Sequence, residues 1–199
     1  MFKRYGLIGF LKLLISLIYT KLLFKKSRLI RLPFDIRNRH LIDLGEGLTT
    51  GFGCRIEAHT ILPDYRKFLI KFGNNVQIND YVHITACKNV TIGNNVLLAS
   101  KIFISDLNHG NYSFGNNQDS PHSIPAERVI YANPINIEDN VWIGESVSIL
   151  GGVTIGKGSV IGCNSVVSKN IPANCIAVGI PAKVIKKFNF ETQIWEKVI

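Results

Sequence analysis

The side chains most able to exchange a proton or bind a ligand are concentrated in one irregular segment. Residues 105–129, SDLNHGNYSFGNNQDSPHSIPAERV, carry His109 and His122 together with Asp106. Imidazole is the side chain that gains and loses a proton near neutral pH. A long stretch without internal pattern is uncommon in a compact domain and is usually functional. The segment is therefore the first candidate for a binding or catalytic site.

The residues around this segment follow a six-residue repeat. After it, every sixth residue is a β-branched aliphatic, and before it the same step recurs with one offset of two residues. Neither a helix nor a simple strand produces a strict period of six. The inward positions predicted by the repeat are Phe72, Ile78, Ile84, Ile92, Leu98, Ile104, Ile137, Ile143, Ile149, Ile155, Ile161 and Val167.

A repeat of this length predicts an all-β fold, a parallel β-helix in which each hexad forms one short strand and one tight corner. The segment near 106–131 then protrudes as a loop, and ILPDYRKFL (residues 61–69) is expected to bulge between coils. Prolines close the stack in a cap at about 171–199, whose end, FNFETQIWEKVI, predicts a short helix or tail.

The closing repeats, NVWIGESVSILGGVTIGKGSVIGCNSVVSKNIPANCIAVGIPAKVI, resemble the hexapeptide-repeat acyltransferases. The branch is that of galactoside, maltose and Nod-factor acetyltransferases, and within it the chain is most similar to O-acetyltransferases of bacterial O-antigen and capsule polysaccharides. The resemblance covers about residues 45–188. It implies a left-handed β-helix, a homotrimer, and acetyl-CoA bound in the groove between neighbouring subunits.

The resemblance also implies roles for residues of the site. His109 matches the family's catalytic histidine, which takes the proton of a sugar hydroxyl as the hydroxyl attacks the thioester. Asn79, thirty residues earlier, matches an asparagine that contacts the reacting hydroxyl. His83 and His122 are candidates for acceptor contacts, or ordinary surface residues, and His122 is also an alternative to His109 as the base. Asp106 either orients the imidazole, binds the acceptor, or forms a corner of the helix.

For the coenzyme, the resemblance places six residues along the groove, with Trp142 flanking the pantetheine arm and lysines meeting the phosphates. A solvated basic tail is the alternative for the lysines. Cys163 stands where relatives carry alanine and Glu145 where they carry serine, so a backbone N–H is expected to stabilise the oxyanion. The predicted coenzyme-binding residues are Trp142, Cys163, Ser168, Lys169, Lys183 and Lys186.

The net charge of +9 comes almost entirely from the first 31 residues. They hold eight of the 23 basic residues and no acid, which leaves 15 basic against 14 acidic residues in the predicted single domain, 32–199. This distribution argues against a nucleic-acid partner. On a helix, Lys12, Ser16 and Thr20 share one narrow face and apolar residues cover the rest, which is typical of a segment lying in an anionic membrane interface. Packing on the protein, a signal sequence and a membrane span are the alternatives.

The four cysteines have no C-x-x-C or metal-ligand spacing, and reduced, mostly buried thiols are expected, with a disulfide still possible. No metal is expected, because the close-spaced histidine pair of the γ-class carbonic anhydrases, which share the β-helix, is absent. The function expected is acetyl-CoA-dependent O-acetylation of a bacterial surface polysaccharide or its lipid-linked precursor, by a cytoplasmic enzyme at the inner face of the membrane. The alternatives are acetylation of an antibiotic hydroxyl, N-acetylation of an amino-sugar nucleotide, or a non-catalytic trimeric scaffold.

Overall fold

The computed structural model describes residues 2–60, 68–112 and 117–198. A helix, α1 (Phe2–Leu23), precedes 20 strands, and 3-10 turns lie at Arg39–Leu41 and Pro125–Glu127. The predicted bulge at 61–69 falls mainly outside the described residues. The strands are β1 (Phe34–Arg37), β2 (Ile42–Asp43), β3 (Cys54–Ala58), β4 (Ile70–Phe72), β5 (Gln77–Ile78), β6 (His83–Ala86), β7 (Val90–Ile92), β8 (Leu97–Leu98), β9 (Phe103–Ser105), β10 (Leu107–His109), β11 (Ile130–Ala132), β12 (Ile135–Ile137), β13 (Trp142–Ile143), β14 (Ser148–Leu150), β15 (Thr154–Ile155), β16 (Val160–Ile161), β17 (Val166–Val167), β18 (Cys175–Gly179), β19 (Ala182–Asn189) and β20 (Ile194–Lys197).

Three parallel sheets form the faces of a triangular left-handed β-helix, as the repeat and the resemblance predicted. Sheet 1 has the order β1-β3-β6-β9-β14-β17, and sheet 2 the order β15-β12-β7-β4-β2. Sheet 3 runs β18-β16-β13-β8-β5 and continues into the antiparallel strands β19 and β20. Each coil contributes one strand to each sheet, so residues one coil apart in sequence become neighbours, for example Trp142 and Val160.

The predicted inward positions form the core. All twelve have relative exposures of 1% or less, and the aliphatic side chains of successive coils stack into one column. Several corners are occupied by asparagines in the left-handed conformation, among them Asn75, Asn95 and Asn140, with φ of 56°, 55° and 59°. Asparagine tolerates this conformation better than most residues, so the corners follow from the sequence.

The C-terminal end differs from the predicted helix. β19 pairs with β20 as a β-hairpin, in which Phe188 lies opposite Trp195 with their ring centroids 5.2 Å apart. Phe190 packs against Phe188 at 5.0 Å. Of the two alternatives left by the sequence, a short helix or a tail, the helix is not formed, because the contact between Phe188 and Trp195 across the two strands stabilises the extended form.

The N-terminal helix packs on the first coil through its polar face. Thr20 Oγ1 accepts a hydrogen bond from the buried N–H of Ile30 at 2.8 Å, and Ser16 Oγ accepts one from the N–H of Leu32 at 3.2 Å. Phe24 and Ile30 already belong to the hydrophobic core. The core therefore includes residues on the N-terminal side of the predicted boundary between 31 and 32, and that division stays a prediction.

Candidate active site

His109 lies at the base of the protruding segment. The chain leaves sheet 1 after β9, forms the antiparallel pair β10–β11, and returns into β12. His109 is exposed and ends β10, where its partner across the pair is Ile130. A cavity of about 500 Å³ opens between this hairpin and the outer face of sheet 1. It is lined by Glu57, His59, His83, Thr85, Phe103, Ser105, Leu107, Asn108, His109, Ile130 and Leu150.

The backbone of His109 is fixed by a hydrogen-bonded latch formed by Tyr112 and Arg128. The Tyr112 hydroxyl donates to the carbonyl oxygen of His109 at 2.5 Å, and Arg128 Nη1 donates to the same hydroxyl. Arg128 also donates to Ser123 Oγ and to the Ser123 carbonyl, both at 2.8 Å. Arg128 therefore ties the far part of the loop to the turn that follows His109.

The cavity also contains an ion-paired histidine. His83 Nε2 lies 2.8 Å from Glu57 Oε1, and Glu57 is 6% exposed. Arg55 and Arg37 contact the same carboxylate at 3.3 Å and 3.0 Å. The Phe103 ring lies 5.3 Å from the His83 ring, centroid to centroid. Three of these residues are Cα partners in one row, Arg55–His83–Phe103, across adjacent strands.

Glu57 is ionised at neutral pH. Burial alone would raise the pKa of Glu57, but the hydrogen bond from His83 and the positive charge of Arg55 outweigh it, so the pKa lies below the ordinary value. Sequence analysis did not identify Glu57, Arg55 or Phe103. The alternation of CRIEA, with Ile56 pointing inward, would have placed Arg55 and Glu57 on the outer face, but not beside His83.

Asp106 does not face the cavity. It is fully buried, and its carboxylate accepts three backbone hydrogen bonds, from the N–H groups of Cys87, Lys88 and Asn89, at 2.7–2.8 Å. These contacts fit the corner-forming alternative that the sequence left open. They fix the corner from which the protruding segment departs.

Two further predicted residues lie away from the cavity lining. Asn79 is half-buried at the corner after β5 in sheet 3, where its carbonyl accepts a hydrogen bond from the Cys54 thiol at 3.0 Å. His122 is exposed in the protruding segment, and its backbone N–H donates to Ser120 Oγ at 3.2 Å. Within one chain, neither Asn79 nor His122 lines the cavity that contains His109.

Four of the predicted coenzyme-binding residues lie on or directly beside sheet 3, towards its C-terminal end. Trp142 is half-exposed and pairs in register with Val160 on the next strand. The same row continues through Ile176 to Lys186. Lys183 lies on the same antiparallel strand, and exposed Cys163 follows β16. Ser168 and Lys169 are exposed at a different corner, directly after β17 of sheet 1.

The described residues contain free cysteines and no cluster of metal ligands. All four cysteines are free, with Cys163 exposed and the other three buried. In the three described ranges, no group of three or more His, Cys, Asp or Glu side chains has an arrangement that would hold a metal ion.

Comparisons with known proteins agree with this architecture. The family model of the bacterial transferase hexapeptide (six repeats) matches residues 134–169. A curated Escherichia coli K12 protein described as "putative lipopolysaccharide biosynthesis O-acetyl transferase WbbJ" is 44% identical over 195 residues, which cover 98% of this chain and 96% of that protein.

Two solved acetyltransferases with bound coenzyme are similar in structure. A galactoside acetyltransferase in complex with coenzyme A is 31% identical with a TM-score of 0.52, and the match covers 79% of this chain and 67% of that chain. The hexapeptide-repeat acetyltransferase VCA0836 from Vibrio cholerae, in complex with acetyl coenzyme A, is 27% identical with a TM-score of 0.54, and the match covers 75% and 71%.

Proposed function

This chain belongs to the bacterial hexapeptide-repeat transferases as an acetyl-CoA-dependent acetyltransferase, and we propose that it acetylates a sugar hydroxyl of a surface polysaccharide or of its lipid-linked precursor. The observation that carries the acceptor assignment is the cavity beneath His109. Its lining combines apolar side chains with polar groups that can form hydrogen bonds with a sugar, as small-molecule sites do. The similarity to a lipopolysaccharide biosynthesis protein over nearly the whole chain supports the polysaccharide.

In the proposed reaction, His109 is the general base. Its imidazole takes the proton of the acceptor hydroxyl while the hydroxyl oxygen attacks the carbonyl carbon of the acetyl thioester. The C–O bond forms, the C–S bond breaks, and the imidazolium returns the proton to the leaving thiolate of coenzyme A. A positioned base contributes about 10²- to 10⁴-fold to such a step. A backbone N–H is the proposed donor to the oxyanion.

The proposal includes a homotrimer with composite active sites. In one chain the His109 cavity lies over sheet 1, whereas Trp142, Cys163, Lys183 and Lys186 lie at sheet 3. Packing sheet 3 of one subunit beside the His109 loop of the next would bring these two surfaces together. Asn79, which also lies on the sheet 3 side, would then join the acceptor site of a neighbouring subunit.

Active-site complementation tests this arrangement. His109→Ala and the Lys183→Glu/Lys186→Glu double variant should each be nearly inactive, while oligomers reassembled from a mixture of the two should regain activity, because some sites contain both wild-type halves. Release of coenzyme A from acetyl-CoA with a panel of methyl glycosides is the assay. Wild-type turnover by His109→Ala would contradict the base assignment, and no recovery in mixed trimers would contradict composite sites.

The N-terminal helix supports a location at the membrane surface. Its polar residues Ser16 and Thr20 are buried against the first coil, and only 11% of Tyr5–Leu23 is buried. The opposite side exposes large apolar side chains, with Ile8 71% and Leu22 68% exposed. Basic residues within the helix and directly after it add about 1 kcal/mol each near an anionic surface. By length and composition the helix would also be able to span a bilayer.

We propose that α1 lies in the interface at the cytoplasmic face, where a lipid-linked acceptor would be presented. The variant Ile8→Gln/Ile15→Gln/Leu22→Gln replaces exposed apolar residues spaced by seven and leaves the buried residues Ser16 and Thr20 unchanged. It should lose binding to phosphatidylglycerol vesicles, and Ile180→Gln/Ile194→Gln, equally exposed but remote, should not. Unchanged binding of the helix variant would contradict the proposal, and resistance of the wild-type protein to alkaline carbonate extraction would indicate a span instead.

A further inference from the structure

The Glu57–His83 pair has the geometry of a carboxylate-oriented imidazole. Glu57 is ionised and accepts hydrogen bonds only, so the 2.8 Å contact requires a proton on His83 Nε2. In the neutral ring, Nδ1 then keeps its lone pair. A carboxylate that selects the tautomer and orientation of an imidazole in this way is the arrangement of the Ser-His-Asp triad.

The neighbours of His83 hold the ring without consuming that lone pair. Arg55 Nη2 lies 2.9 Å from Nε2 and 3.3 Å from Nδ1. A single nitrogen so nearly equidistant from both ring nitrogens lies over the ring face, where guanidinium groups stack on aromatic rings. Phe103 packs against the ring at 5.3 Å with the planes tilted by 52°. His83 is therefore restrained by a carboxylate, a guanidinium and a phenyl ring.

His83 lines the same cavity as His109. For the ring of His109, no hydrogen-bonding partner is found in the described part of the chain, whereas the ring of His83 has several. One exposed imidazole and one restrained imidazole in a single pocket suit different tasks. The exposed ring can adjust to the reacting hydroxyl, and the restrained ring can offer an acceptor at a constant position.

We propose that His83, oriented by Glu57, accepts a hydrogen bond through Nδ1 from a second hydroxyl of the acceptor, with Phe103 as the apolar surface beside it. The inference rests on the proposed function and deepens it, because it restricts the substrate to sugars with a second free hydroxyl in reach of the acetylated one. Such a contact selects which hydroxyl meets His109, so His83 is a specificity-determining residue. A site that binds a hydroxyl rejects the analogue that lacks it, because its own polar group is then left without a partner.

A double-mutant cycle between enzyme and acceptor tests this contact. Methyl glycosides of galactose, glucose and mannose are compared with their monodeoxy analogues as acceptors for the full-length wild-type protein and for His83→Phe. If the contact exists, one deoxy position should lower kcat/KM about tenfold with the wild type and leave it unchanged with His83→Phe. The KM for acetyl-CoA should stay the same in both proteins.

The controls separate folding from specificity. Glu57→Gln keeps a hydrogen-bonding group beside His83 and should weaken the discrimination against the deoxy acceptor with less perturbation of the cavity. Ser148→Ala changes a residue next to Phe103 in the same row but outside the cavity lining, and it should retain the discrimination. Additive effects of the deoxy position and the His83 substitution would overturn the inference. If the wild-type protein acetylates none of the glycosides, the proposed function fails for simple sugars, and this inference fails with it.

Discussion

The hydroxyl of Tyr112 lies 2.5 Å from the backbone carbonyl of His109 and is itself held by the Arg128 guanidinium. Arg128 precedes Val129, whose carbonyl accepts the N–H of Gly110, so both ends of the loop meet directly beside His109. The loop is therefore coupled to the candidate base through three neighbouring contacts. Tyr112 and Arg128 are positioning residues, because they act on the backbone that carries the imidazole.

Loss of this latch should lower turnover rather than affinity. Tyr112→Phe removes only the hydroxyl and Arg128→Lys only the forked donor set, and each should lower kcat about 10- to 100-fold, since small displacements of a base are costly. The KM for acetyl-CoA should change little, because its proposed groove is built from other residues. A rise in KM with unchanged kcat would contradict the positioning role. Phe188→Leu, in the C-terminal hairpin, is the control for general destabilisation.

Thiol reactivity should distinguish Cys163 from the other cysteines. Burial, with a further contribution from the charge of Asp106, raises the pKa of Cys87 to about 11, and burial also raises the pKa of Cys54 and Cys175. A buried thiol of high pKa carries little thiolate and reacts slowly. Iodoacetamide at pH 8 should label Cys163 alone in the native protein, as read by peptide mass spectrometry.

The same labelling reports on the proposed coenzyme groove. Coenzyme A should slow labelling of Cys163, and Cys163→Ser should abolish it while leaving the three buried thiols to react only after denaturation. Rapid labelling of Cys87 in the native protein would contradict the buried environment. If coenzyme A does not slow the labelling of Cys163, the proposal that Cys163 lines the coenzyme groove is contradicted.

The buried positions of this fold can be predicted from the sequence, whereas the contacts between outward-facing side chains cannot. Ile84 and Ile104 are predictable because a triangular core accepts only apolar side chains of suitable shape at every sixth position. Outward positions accept any residue, so nothing in the local pattern marks Glu57 as the partner of His83, 26 residues later. Their contact is produced by the stacking of β3 on β6. Likewise, the sequence singles out Asp106 as chemically interesting but not as the acceptor for a buried corner.

Asp106 should be needed for stability. Both of its carboxylate oxygens accept backbone N–H groups, so Asp106→Asn directs an amide N–H₂ at a backbone donor and leaves that donor buried without an acceptor. The free energy of unfolding should fall by about 2–3 kcal/mol, as measured by urea denaturation followed by circular dichroism. Asp119→Asn is a matched control, because Asp119 accepts one loop N–H, from Asn111, at a partly exposed site. An equal loss in both variants would contradict the special role of Asp106.

Acidification should weaken the outer face of sheet 1 through Glu57. The pKa of Glu57 is lowered in the folded protein: burial disfavours the ionised form, but the His83 hydrogen bond and the Arg55 charge favour it more strongly. Near that pKa the folded protein therefore binds fewer protons than the unfolded chain. Its contribution to stability is therefore complete above the ordinary value of 4.5 and is lost as the pH falls through the lower pKa of the folded state.

The comparison of wild type with Glu57→Gln isolates this contribution. The wild-type free energy of unfolding should decrease more steeply between about pH 5 and pH 3 than that of Glu57→Gln, because the amide does not titrate. Glu46→Gln is the matched control, since Glu46 forms an exposed pair with Lys26 at 3.2 Å, and exposed pairs contribute little. Parallel pH profiles for wild type and Glu57→Gln would mean that the Glu57–His83 contact does not stabilise the folded state, and the orientation assigned to His83 would lose its physical basis.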